Sequence, residues 1–285
     1  MRTGEVKTND GVRLHYVEAG TGPDLLLVCG WTLTAELWRH QIEEFSRTHH
    51  VVAYDHRGHG QSGRPSYGYR MARLAADAHE LIGARGLSDV TLVAHSMGCG
   101  VALAYWDLYR DDRLRRLVLI DEPAALISHP DWPEGMAIQE GAPHAAEGLP
   151  AFTAAVRGQQ AAAVAAGALD AMVTARMSAG EREEVLRQML LTEREAASLL
   201  MFSNGTQDWR DLLPGITIPV LVIGGGASIF SAASIENVAK AIPGAAVRII
   251  SADERGSHLS FVENPSAVNG AIRAFLDRSG NSVGS

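Results

Sequence analysis

The chain predicts an α/β protein: a mostly parallel eight-stranded sheet, helices on both faces, and a helical lid inserted over the strand ends. Three observations carry this reading. Short apolar runs such as Leu25-Leu26-Leu27-Val28-Cys29 and Leu117-Val118-Leu119-Ile120 have the composition of buried parallel strands. They alternate with helical periodicities, the arrangement that builds a parallel sheet covered on both sides. From 124 to 209 the strand signal stops, and an alanine-rich segment takes over before Val220-Leu221-Val222-Ile223 resumes the sheet.

The first strands fall at Val6–Lys7 and Val12–Val17, joined at Asn9-Asp10-Gly11 as an edge hairpin. Gly20-Thr21-Gly22-Pro23 breaks the chain before the Leu25 strand. Thr34 is placed to cap a helix running through Trp38, Ile42 and Phe45. Val51–Tyr54 is the next strand, followed by a helix from Tyr69 to Ala84 with Leu74, Ala78 and Leu81 on one face. The strand at Val90 runs into a serine and then a helix through Val101, Leu103 and Leu108. After the Leu117 strand, helices are expected at 149–159, 161–177, 179–190 and 192–202, broken by Pro130, Pro133, Pro143 and Gly180. The end of the chain supplies a helix at 234–242, a last strand at 246–250 and a helix at 265–278. The organisation is therefore 1–123 and 210–278 for the core, 124–209 for the lid, and 279–285 as a small, polar, disordered tail.

Composition bounds the function. With 285 residues, 46% hydrophobic, the chain is long enough for one large domain with an insertion. A formal charge of −8 and no basic run argue against a nucleic-acid surface. No stretch approaches the ~18 apolar residues of a membrane span, and the first residues lack the apolar core of a signal peptide. Cys29 and Cys99 fall in core elements, as small buried hydrophobes of a reduced compartment rather than a disulfide framework. A soluble, cytoplasmic monomer or homodimer acting on a small molecule is expected, without nucleic-acid or membrane partners. No cofactor is expected, and no metal, because ligand spacing is lacking.

Ala94-His95-Ser96-Met97-Gly98 sits between strand and helix, which is where a G-x-S-x-G nucleophile elbow belongs, with alanine replacing the first glycine. An ordinary serine N-cap is the bland alternative. Two further motifs decide between them. Asp55-His56-Arg57-Gly58-His59-Gly60-Gln61-Ser62 and Gly256-Ser257-His258, with Phe261-Val262-Glu263-Asn264-Pro265 after it, complete a set in a fixed order. On these motifs the chain resembles the α/β-hydrolase superfamily over nearly its whole length. The resemblance implies a structural role for the Asp55–Ser62 turn, with His56 and His59 inside it. It makes Ser96 the nucleophile and His258 its base. His95, on so tight a turn, is expected to point away from the serine, while His129 and His144 are candidates for lining the lid.

The acid is where this chain departs from the common pattern. Most members carry it after the seventh strand in a segment such as G-x-x-D; here that segment reads Gly224-Gly225-Gly226-Ala227-Ser228-Ile229-Phe230. Zearalenone lactonases, haloalkane dehalogenases and cofactor-independent dioxygenases instead carry an acid after the sixth strand, where this chain has Asp121-Glu122-Pro123. Likeness to a lactonase stretch favours Glu122, with Asp121 as the alternative. The resemblance also implies an oxyanion hole from the backbone N–H groups of Trp31 and Met97, with Cys29-Gly30 in place of the usual His-Gly. Trp31 and Trp132 are candidates for an aromatic pocket wall.

The chemistry implied is hydrolysis of a carboxylic ester or lactone through a Ser-His-Glu triad, with an apolar substrate of moderate size. Perhydrolysis would use the same triad. Cofactor-independent oxygenation of a quinolone-like heteroaromatic, with His258 as base, is the main alternative. A non-catalytic ligand-binding protein of the same fold is a third reading. Dehalogenation would need an aspartate at position 96.

Overall fold

Alternating and continuous apolar runs set the strands of this computed structural model, which describes residues 1–129, 131–133, 135–142 and 147–280. They are β1 (Arg2–Lys7), β2 (Arg13–Ala19), β3 (Asp24–Val28), β4 (His50–Tyr54), β5 (Val90–His95), β6 (Leu114–Ile120), β7 (Val220–Gly225) and β8 (Ala246–Ile250). They form one sheet in the order β1-β2-β4-β3-β5-β6-β7-β8. Only β1 with β2 and β2 with β4 pair antiparallel. The remaining pairs are parallel, so the carboxyl ends of β3, β5, β6 and β7 open on one edge. In such a sheet that edge, where strands feed loops, is where ligands bind.

Helices cover both faces. They are α1 (Arg39–Phe45), α2 (Met71–Arg85), α3 (Met97–Tyr109), α4 (Met136–Glu140), α5 (Gly148–Arg157), α6 (Ala161–Met172), α7 (Ala179–Met189), α8 (Arg194–Gly205), α9 (Ala232–Ala241), α10 (Ser260–Glu263) and α11 (Pro265–Gly280). One core packs Leu74, Leu81, Val101, Trp106 and Ile235 from α2, α3 and α9 against Leu26, Leu92 and Leu119. The other packs Trp38, Ile42, Phe261 and Ile272 against Leu27, Val93 and Ile120. Successive side chains of a strand point to opposite faces, so each central strand feeds both cores. Helices α4–α8 all lie between β6 and β7 and send residues to both: Val156 and Leu200 to the first core, Leu169 and Met172 to the second.

Element types follow the sequence pattern closely. The differences are short pieces. The helices α4 and α10 span five and four residues, too few for a 3.6-residue period to show. Thr34 does not cap its helix. Its hydroxyl donates to Gln188 Oε1 at 2.6 Å, and the Ala35 N–H is taken by Asp55 Oδ1 at 2.8 Å. A carboxylate from the neighbouring strand's turn has displaced the local cap. Pro130, Pro143, His144 and the tail from 281 lie outside the described residues.

The Asp55–Ser62 turn is a structural knot. Burial pushes the Asp55 carboxyl up, but bonds from His15, Ala35 and Gln61 outweigh it and hold the group below its ordinary value. Arg57 is fully buried and forms a two-pronged pair with Asp77 of α2, at 2.6 and 2.7 Å. Asp10, part-exposed, reaches the same guanidinium at 3.0 Å, but removing Asp77 takes away both prongs that hold the buried charge in the core. Asp77→Ala is therefore expected to cost about 3–5 kcal/mol of folding free energy. Urea unfolding checks this, and a loss below about 1 kcal/mol, the range of exposed pairs, would contradict it.

Candidate active site

Ser96 ends the turn between β5 and α3 with φ 52° and ψ −128°. A non-glycine residue with positive φ is strained. The turn closes only because α3 enters tightly beneath β3. A Cβ on Gly98 would sit 2.6 Å from the Val28 carbonyl oxygen and 2.8 Å from that of Cys29. Glycine is thus required at that position of the pentad, while the first position accepts Ala94. Bent this way, Ser96 Oγ stands at the cavity, 2.9 Å from His258 Nε2.

His258 comes from the loop after β8. Its Nδ1 lies 2.6 Å from Asp121 Oδ2. The structure therefore corrects the expected acid: Asp121, not Glu122, faces the imidazole. The reason is backbone geometry. Asp121 has φ 56°, and this left-handed twist at the end of β6 sends two consecutive carboxylates in different directions. Asp121 turns towards His258, whereas Glu122 turns into the cavity and accepts from Asn204 Nδ2 at 2.8 Å.

The segment that lacks a carboxylate after β7 still serves this acid. Gly225 N–H donates to Asp121 Oδ1 at 2.9 Å, and the Ser228 hydroxyl donates to Asp121 Oδ2. Ser228 stands where G-x-x-D would put a carboxylate, and its hydroxyl donates instead to the carboxylate that follows β6.

Two buried histidines outside the serine–histidine pair support its surroundings. His95 does point away from the Ser96 hydroxyl. Burial and the neighbouring His258 push its pKa well below the ordinary value, so the ring is neutral, and its Nε2–H donates to the His258 carbonyl at 2.8 Å. It thereby anchors the loop that carries the base. Burial, reinforced by the nearby His56, pushes His59 down to about 3. Its Nδ1–H donates to the Arg57 carbonyl at 3.2 Å, which leaves Nε2 to accept the Thr32 N–H at 3.2 Å. Sequence reasoning assigned neither contact. Both depend on rings meeting backbone that is distant in sequence.

Trp31 and Met97 both line the cavity. Met97 is the first residue of α3, where an N–H has no intrahelical acceptor. The loop bearing Trp31 passes directly against the nucleophile: a Cβ on Gly30 would lie 2.8 Å from His95 Nδ1 and 3.0 Å from Ser96 Cβ. The indole N–H of Trp31 donates to the Ala197 carbonyl of α8 at 2.8 Å, and its ring lies 5.8 Å from that of Phe152. Trp132 is elsewhere, with the Arg210 guanidinium 4.4 Å over its ring. His129 sits beside Asp131, away from the cavity.

The cavity holds about 520 Å³ and is walled largely by apolar side chains, among them Phe152, Val164, Met172 and Met201 from α5, α6 and α8. Glu122 is its buried carboxyl. Burial pushes it up to about 8, with the Asp121 charge adding to the effect, so it carries a proton at neutral pH. The unfolded chain releases this proton near 4.5, the folded one near 8. The stabilisation is thus complete below about 4.5 and disappears as pH rises to about 8. Wild-type Tm should fall across that window relative to Glu122→Gln, as differential scanning calorimetry would show; parallel curves would contradict it. Among the described residues no cluster of His, Cys, Asp or Glu is arranged to hold a metal ion, and no helix is long and apolar enough to cross a membrane. Cys29 and Cys99 are buried and unpaired with each other.

Comparison with known proteins agrees with this fold. A family model described as the alpha/beta hydrolase fold matches residues 23–265. A non-heme haloperoxidase of Rhodococcus erythropolis is 32% identical over 136 residues, covering 47% of this chain and 50% of that protein. The chain thus spans about half the length of that curated relative in the match. The solved bromoperoxidase from Bacillus anthracis superposes with a TM-score of 0.88 at 25% identity, covering 97% of this chain and 100% of that one. A thermophilic esterase from Thermogutta terrifontis superposes with a TM-score of 0.82 at 27% identity, covering 98% and 99%.

Proposed function

Since the chain belongs to the alpha/beta hydrolase fold family, we propose that it is a serine hydrolase of carboxylic esters or lactones, acting through Ser96, His258 and Asp121. One observation carries the reading: the unbroken path from Ser96 Oγ to His258 Nε2 at 2.9 Å and from Nδ1 to Asp121 at 2.6 Å. A serine hydroxyl attacks a carbonyl only when a base takes its proton, and a carboxylate on the far nitrogen fixes the imidazole tautomer.

In the proposed cycle, Ser96 Oγ adds to the scissile carbonyl while its proton passes to His258 Nε2. The backbone N–H groups of Met97 and Trp31 receive the oxyanion. Collapse of the tetrahedral adduct breaks the bond to the alkoxy oxygen, which leaves with the proton from Nε2. Water then loses a proton to the same nitrogen as it attacks the acyl-enzyme, and collapse of this second adduct breaks the bond to Ser96 Oγ, which takes the proton back from Nε2 as the acid is released. In this reading helices α4–α8 act as a lid. Apolar side chains of α5, α6 and α8 fill much of the cavity wall, which favours a substrate of moderate size with little charge.

The test is turnover of p-nitrophenyl acetate and butyrate together with labelling by a fluorophosphonate probe. Nitrophenol release and labelling that both vanish in Ser96→Ala support the reading. Failure of the wild type to label and to release nitrophenol would turn the assignment towards a histidine-based oxygenase, to be sought with hydroxyquinolones in an oxygen electrode.

A further inference from the structure

We propose that Glu122 and Asn204 form a polar subsite that binds a second oxygen of the substrate, close to the scissile carbonyl, so that the preferred substrates are acyl compounds oxygenated at the 3-position. The inference deepens the hydrolase reading and rests on it.

Glu122 is a buried carboxyl that the proposed cycle does not use. It is only 6% exposed, borders the same cavity as Ser96 and His258, and has the Ser96 hydroxyl as a polar neighbour. Burying such a group is costly unless it is hydrogen-bonded. The chain meets that cost with a dedicated partner: Asn204, 5% exposed on α8, gives Nδ2 to Glu122 Oε1 at 2.8 Å. Room for Asn204 has been cleared on the opposite helix, because a Cβ on Gly100 would fall 2.5 Å from Asn204 Oδ1. Core and insertion therefore combine to hold one polar spot in an otherwise apolar wall.

The groups around this carboxyl are Asp121 on its own segment, Ser96 and Cys99 from the start of α3, Asn204 from α8 and His258 across the cavity. No cation is among them. A carboxyl in this setting keeps its proton at neutral pH and donates a hydrogen bond. Its natural complement is an uncharged oxygen acceptor, a ketone or hydroxyl, rather than an ammonium or a second carboxylate. Because Glu122 lies beside Ser96, that oxygen must sit within a few bonds of the carbonyl under attack. A buried polar group built to bond the substrate discriminates against an analogue that leaves it unpaired.

The experiment compares ethyl 3-oxohexanoate and ethyl 3-hydroxyhexanoate with ethyl hexanoate, following acid release in a pH-stat for wild type, Glu122→Gln, Glu122→Leu and Asn204→Leu. Fluorophosphonate labelling of Ser96 certifies each variant as folded. Taking the ratio of kcat/KM within each protein removes the intrinsic reactivity of the esters. The ratio is expected to fall by about tenfold in Glu122→Leu, with a smaller fall in Asn204→Leu. Glu122→Gln, whose amide still donates, should retain most of it. A second readout is pH: the wild-type ratio should decline as pH rises past about 8, where Glu122 ionises, while Glu122→Gln stays flat. Equal ratios in wild type and both Glu122 variants, with Ser96 labelled throughout, would overturn the subsite and leave the hydrolase reading intact. Absence of labelling and of hydrolysis of all three esters by the wild type would overturn both.

Discussion

Ser96→Ala should lower ester turnover by at least about 10⁴-fold, while urea unfolding shows a native core. The loss is large because, in the proposed cycle, the hydroxyl is the attacking group itself, and no other described side chain of the cavity is placed to replace it. Asp121 is turned to His258, Glu122 is protonated, and His95 is bonded to a backbone carbonyl. In the proposed cycle, residual catalysis would come only from water activated by His258 and attacking a carbonyl polarised by the Trp31 and Met97 amides, a route with no covalent stage. Substantial turnover left in Ser96→Ala would therefore sink the acyl-enzyme. The backbone adds a second expectation. Alanine keeps the positive φ of 52° and its strain, whereas glycine relieves it. Ser96→Gly should melt above Ser96→Ala although both are inactive. The reverse order would mean that the elbow stores no strain.

Most of this architecture was legible in the chain because the signals are local. Short apolar runs bounded by turn signals and helices have the length of buried strands rather than of helices, and the Ala94–Gly98 pentad fixes a turn by steric need. His258 was legible through its own motif. The acid was not, because the choice between two adjacent carboxylates depends on one dihedral angle at the end of β6. No residue type announces a positive φ at an aspartate, although aspartate tolerates it better than most. Asn204 was equally invisible, since it lies 82 positions from Glu122 and shows no pattern within α8. The contacts of His59 with Thr32 and of His95 with the His258 carbonyl likewise join backbone and ring across different loops. What the sequence concealed was long-range and side-chain-specific.

Asp121→Asn should reduce kcat by about 10³–10⁴-fold, because an amide facing His258 Nδ1 can present an N–H, favour the wrong tautomer and leave the imidazolium without its counter-charge. Glu122→Gln should cost far less on simple esters, since its carboxyl contacts Asn204 rather than the imidazole. Steady-state kinetics with p-nitrophenyl butyrate separates the two, and a larger loss in Glu122→Gln would return the role to that residue. The neighbouring loop then offers a stricter test. Ser228 already reaches the oxygen of Asp121 that His258 uses, so a carboxylate at position 228 would approach the same nitrogen from β7. Added to Asp121→Asn, Ser228→Asp should recover at least about tenfold of the lost kcat, because restoring a charge near the imidazolium restores part of its stabilisation. On its own, Ser228→Asp should depress activity, as two carboxylates would then crowd one imidazole and raise each other's pKa. Rescue in one background and harm in the other is a pattern that a merely structural Asp121 would not produce.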